Sequence, residues 1–91
     1  MATFTVTKDP NDVLDYLFYW STWLASGETI STSTWTVDSG LTKDTDSKTD
    51  DTTTIWLSGG TAGTSYTVTN RITTSQGRTK DQSMQVSVVN Q

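Results

Sequence analysis

Apolar and polar residues alternate with a period of two along most of this chain, the pattern of strands with one buried face. Phe4 and Val6 alternate with Thr3, Thr5 and Thr7, and the turn chemistry of Lys8–Asp12, with Pro10 between Asp9 and Asn11, ends that first strand. Val13–Leu24, VLDYLFYWSTWL, is the most apolar stretch. Its spacing also suits an amphipathic helix, but its aromatic content and the lack of helical pattern elsewhere favour one long strand. On such a strand Leu14, Tyr16, Phe18 and Trp20 share one face, and Asp15, Leu17, Tyr19, Ser21 and Trp23 share the other. Ala25–Glu28 reads as a turn. Ile30, Trp35 and Val37 mark a strand over about Thr29–Val37, closed by Asp38-Ser39-Gly40.

The next segment, LTKDTDSKTDD over Leu41–Asp51, is polar and acidic and holds at best a short edge strand, where charge would discourage unwanted pairing. Thr52–Leu57 follows, with Ile55 and Leu57 on one face and Trp56 on the other. Tyr66, Val68, Asn70 and Ile72 alternate along a long strand that ends at Ser75-Gln76-Gly77, where Gly77 suits a left-handed hairpin residue with an adjacent bulge. Met84, Val86 and Val88 point inward from a last strand over about Lys80–Val89. Short strands with turn signals at this spacing predict one all-β domain over residues 1–91, an antiparallel β-sandwich of about seven strands.

The Thr52–Leu57 strand and the next one are joined through Leu57-x-x-Gly60-x-x-Gly63-x-x-Tyr66-x-Val68. A Leu closing one strand, a glycine corner and a Tyr opening the next resemble the tyrosine corner of immunoglobulin and fibronectin type III folds, in which the Tyr hydroxyl bonds to backbone upstream. The sandwich is therefore expected to be immunoglobulin-like. A core for it comes from Phe4, Tyr16, Phe18, Trp20, Trp35 and Tyr66.

Composition restricts function more than fold. In 91 residues only 32% are hydrophobic, so four Trp, three Tyr and two Phe must supply much of the buried area. The 21 Thr and 11 Ser suit solvent-facing strand positions, Thr being β-branched. A formal charge of -4 with six scattered basic residues disfavours nucleic acid as a partner. No signal peptide is visible at the N-terminus, and no apolar run approaches the roughly 18 residues of a membrane span. A protein without membrane association, made in a cytoplasm, is expected.

With no His and no Cys, the commonest general base, thiol nucleophiles and every zinc pattern are missing, so neither catalytic nor metal-binding residues nor a cofactor are expected. Asp44, Asp46, Asp50 and Asp51 could pair as carboxylates, but in a solvated segment nothing would raise a pKa toward neutrality. Asp44–Asp50 also faintly resembles a calcium loop, with Lys48 among the ligand positions and neither the Gly turn nor the closing Glu. Ser58–Gly63 is no phosphate loop, because no Lys-Ser/Thr pair and no helix follow it. The aromatics are the better lead. Alternation leaves Tyr19, Trp23 and Trp56 pointing away from the core, either as a partner-binding surface or under a covering loop. A carbohydrate-binding platform is a rival reading of the same three rings.

The segments FTVTKDPNDVLDYLFYWSTWLASGETI, STWTVDSGLT and TTTIWLSGGTAGTSYTVTNRITTSQGRTKDQSMQVSV cover nearly the whole chain. Together they resemble a family of small tailed-bacteriophage structural proteins, the fiber–tail adaptors, with DYLFYWSTWL and WLSGGTAGTSYTVTNRITTSQGRT the most specific parts. The resemblance implies an immunoglobulin-like virion module, made in the bacterial cytoplasm, present in several copies and holding fiber, tail or capsid proteins in place. It implies no catalytic residues. Within the same class, a capsid decoration protein is the alternative.

Overall fold

Two sheets face each other across a core made of the inward members of each alternating strand. The computed structural model describes residues 3–90, and side chains from residue 5 onward, so the expected burial of Phe4 lies outside the described residues. The strands are β1 Thr3–Lys8, β2 Leu14–Tyr19, β3 Ile30–Val37, β4 Leu41–Lys48, β5 Thr52–Gly59, β6 Thr64–Thr74 and β7 Thr79–Val88, and no helix occurs among the described residues. One sheet has the order β1-β7-β6-β3 and the other β2-β5-β4. This arrangement is consistent with an immunoglobulin-type sandwich whose first strand has joined the sheet of the last. Every pair is antiparallel except β1–β7, which runs parallel from Thr3↔Ser83 to Lys8↔Val88. The antiparallel expectation therefore needs that one correction.

The core follows from period-two alternation. Ile55 and Leu57 from β5, Val68 and Ile72 from β6, and Met84, Val86 and Val88 from β7 are all completely buried. Phe18 leans on Trp35 across the gap, with ring centroids 5.2 Å apart. Tyr16, expected in the core, is only half-buried beside it. A polar chain crosses between the sheets. The Trp20 indole N–H donates to Thr53 Oγ1 (3.0 Å), and the Thr53 hydroxyl donates to Asn70 Oδ1 (2.6 Å). Asn70 Nδ2 then donates to Ser33 Oγ (2.9 Å) and to the Thr34 carbonyl (3.1 Å). Each buried polar group in it has a partner, so the chain links both sheets without leaving a desolvated group unpaired.

The glycine corner forms as expected. The Thr61 N–H donates to the Tyr66 hydroxyl oxygen at 2.9 Å, five residues upstream of the ring. The Thr61 side chain first, and then this backbone bond, hold the hydroxyl's pKa below its ordinary value. Gly60 has a φ of +95°, and a Cβ there would sit 2.7 Å from Val88 Cγ2, so both the backbone angle and the space exclude a side chain. Lys8, read from sequence as the start of a turn, is instead the last residue of β1 and is fully buried. Its Nζ donates to the Gly59 carbonyl at 2.7 Å and the Asp9 carbonyl at 2.9 Å, which ties the end of β1 to the end of β5.

Two further expectations change, and a third holds. β2 stops at Tyr19, so Val13–Leu24 is neither one long strand nor a helix. The Trp20 N–H still bonds the Asp51 carbonyl (2.8 Å), in register with Tyr19↔Thr52, but the Trp20 carbonyl accepts from Trp23 N–H (2.9 Å) and Leu24 N–H (3.0 Å), closing a tight turn. The polar segment beginning at Leu41 is a full eight-residue edge strand, with a register shift between Lys43 and Thr45. Gly77 takes a positive φ of 83° and forms the bulge expected beside it: its N–H bonds the Thr74 carbonyl (2.9 Å) while the Thr74 N–H bonds the Arg78 carbonyl (2.8 Å), so Gly77 and Arg78 together oppose Thr74.

Candidate functional site

The two outer faces of the sandwich differ in chemistry. On the four-stranded sheet the outward positions are Thr67, Thr69, Arg71 and Thr73 of β6 against Gln85, Ser83, Asp81 and Thr79 of β7. Arg71 and Asp81 are bonded there through both guanidinium and carboxylate branches (2.8 and 3.0 Å), which lowers the Asp81 pKa and raises that of Arg71. The exposed large hydrophobic residues lie elsewhere. They are Val13, Leu14, Leu17, Tyr19 and Trp56, all on β2, just before it, or on β5.

The register explains this concentration. β5 turns Thr53, Ile55 and Leu57 inward, so Thr52, Thr54 and Trp56 face out. Opposite them on β2 stand Tyr19, Leu17 and Asp15. Trp56 therefore sits on the central strand of the three-stranded sheet, between Asp15 of β2 and Thr45 of β4, with Leu17 on its diagonal. Tyr19 is 70% exposed, Leu17 39% and Trp56 39%. Threonines and serines surround the rings, which makes an apolar centre with a polar rim.

Tyr19 and Trp56 thus share one face, as alternation predicts, although two registers apart. Trp23 does not belong to the strand ladder. It lies in the turn after Trp20, half-buried against the core, with its ring 5.9 Å from that of Trp20. The Arg78 guanidinium covers it at 4.3 Å, and Lys80 Nζ stands 5.8 Å from its centroid. A cation over the indole face is attracted by the ring quadrupole. Arg78 in turn is fixed by Glu28, which it bonds through Nε (2.9 Å) and, at closer range, through the second nitrogen. Glu28 also accepts from the Thr74 hydroxyl (2.5 Å) and the Ala25 N–H (2.9 Å). The Arg78 bonds first, then Thr74, hold its carboxyl at about 2 against the opposing effect of burial.

Leu17 also belongs to this face; it carries no aromatic signal, although its parity with Tyr19 is readable in the sequence. The acidic residues proposed as carboxylate pairs are dispersed: Asp46 is paired with Lys43 at 3.1 Å, and Asp44 accepts from the Ser58 hydroxyl at 2.9 Å. No enclosed cavity occurs among the described residues. What the site offers is a flat, partly apolar sheet face.

The same stretch of chain, residues 8–87, matches the family described as "Podophage GP4 fiber-tail adaptor protein gp77". The chain belongs to this family. Its match runs from the last residue of β1 almost to the end of β7, and so includes the outer face of β2 and β5 and the glycine corner. No curated protein matches the chain. A fiber–tail adaptor is a structural component of the virion that joins fiber and tail proteins, and in such a protein a flat face of this kind is surface available for protein contact.

Proposed function

We propose that this chain attaches fibers to the phage tail through the outer face of its three-stranded sheet, with Trp56, Leu17 and Tyr19 as anchors. Trp23, half covered by Arg78, contributes at the margin of that face. The reading rests on one observation: the exposed large hydrophobic residues gather on this flank, while the outer face of the other sheet is threonine, serine and paired charge. Trp and Tyr concentrate binding energy because they bury large area at low entropy cost. The attachment is mechanical and involves no catalytic step, no cofactor and no nucleic acid. Several copies act per particle, and they are made in the bacterial cytoplasm before assembly.

Particles assembled without this chain should have DNA-filled heads but no fibers by electron microscopy. Fibers still in place, or density for the chain on the capsid lattice, would overturn the adaptor role. Trp56→Ala should fold normally and weaken attachment by about 2 kcal/mol, roughly thirtyfold in affinity. Binding of purified variants to chain-free particles measures this directly.

A further inference from the structure

The sandwich has four edge strands, and they are not equally defended. On β4 the positions opposite Leu57, Ile55 and Thr53, which would otherwise face the core, are Lys43, Asp46 and Lys48, and the strand is bulged. Inward-pointing charge and bulges are the usual devices against edge pairing. β3 carries a register shift between Ile30 and Thr32. β1 presents Thr5 and Thr7 outward, with no exposed apolar anchor among its described side chains. β2 has neither bulge nor Lys nor Pro along LDYLFY, and among the described residues it pairs with β5 alone. Its open edge lies beside the exposed Leu17 and Tyr19.

Charge narrows what could lie there. From Asp9 to Thr29 and from Thr49 to Asn70 the chain contains no Lys or Arg, so β2, β5 and the loops flanking them are free of basic side chains. The same stretches hold Asp9, Asp12, Asp15, Asp50 and Asp51 together with the Arg78-bound Glu28. The local field is correspondingly negative. The Tyr16 hydroxyl is held above its ordinary pKa first by burial and then by the charges of Asp12 and Asp15. A second copy of this chain would bring the same acidic flank against its own.

We propose that the open edge of β2 receives an extended strand from a neighbouring virion protein, one that places a basic side chain opposite Asp15 and apolar side chains beside Leu17 and Tyr19. Main-chain bonds to the edge supply affinity, and every second side chain of the incoming strand lies on the outer face, where it is read. The arriving segment therefore has alternating positions, one basic and the next two apolar. This deepens the adaptor reading and rests on it for the identity of the partner as a virion protein.

Hydrogen exchange of the chain in purified particles, compared with the free chain, tests the pairing. Amides of residues 14–19 should slow by at least about tenfold in the particle, while those of residues 41–48 keep their free rates. Equal rates for residues 14–19 in both samples would overturn the proposal, whatever becomes of fibers in particles lacking the chain. Protection of β2 on concentrating the free chain alone would show a second copy as the occupant and overturn it equally. The basic partner is tested by copies incorporated per particle, which should fall in the order wild type, Asp15→Asn, Asp15→Lys. Equal incorporation of all three, with normal thermal melts, would remove the basic residue from the proposal.

Discussion

Thr53 shows how much one buried hydroxyl can carry in a small sandwich. It accepts from Trp20 and donates to Asn70, so its loss strands a donor on one sheet and an acceptor on the other. Thr53→Val keeps the shape and removes both bonds. It should cost roughly 2–4 kcal/mol in chemical denaturation, since each buried group left unpaired costs about 1–3 kcal/mol. Glu28 makes a prediction in pH. Its carboxyl sits at about 2 in the folded chain against an ordinary 4.5, so the unfolded chain takes up the proton first as pH falls. Its contribution is complete above pH 4.5 and disappears as the pH drops toward about 2. Glu28→Gln should therefore lower stability at neutral pH and flatten the stability–pH slope within that window, with Asp81 accounting for part of what remains. Tyr66 was legible from sequence because its corner has a fixed local spacing. Glu28 and Arg78 were not, because the two are 50 residues apart and only the finished sandwich brings them together.

At the level of strands, alternation located six of the seven and missed mainly where a strand ends. Nothing in YWSTWL marks Tyr19 as the last residue of β2. The stop comes from the Trp20 carbonyl, which the N–H groups of Trp23 and Leu24 in the following turn take away from the ladder. The same reasoning explains the underestimate of β4. Its sequence lacks an apolar face because that face is filled with charge, and pattern alone reads such a strand as loop. If Lys43, Asp46 and Lys48 serve as guards, replacing all three with Val should leave the fold intact and expose a pairing edge. Sedimentation velocity would then show concentration-dependent association that the parent chain lacks. A variant that stays monomeric would show those charges to be incidental.

Across the whole molecule the division of labour is between sheets. The four-stranded sheet holds the strands at both ends of the chain and shows water a threonine-rich face, while the three-stranded sheet carries the rings and the undefended edge. Position on the outer face of β2 and β5 was readable for Tyr19 and Trp56 from parity alone. That Trp23 would be drawn out of the set depended on the turn at Trp20. The parallel pairing of β1 with β7 has a further consequence for a protein that joins two structures under load. Because the strands run the same way, with Thr3 beside Ser83 and Lys8 beside Val88, a pull applied at Thr3 and Val88 slides one strand along the other. All the bonds between them then bear tension at once. Pulling at Thr64 and Val88, which lie side by side at one end of an antiparallel pair, opens that ladder one bond at a time. Single-molecule stretching should thus find a clearly higher rupture force for the first attachment geometry than for the second, making the molecule's strength a matter of direction.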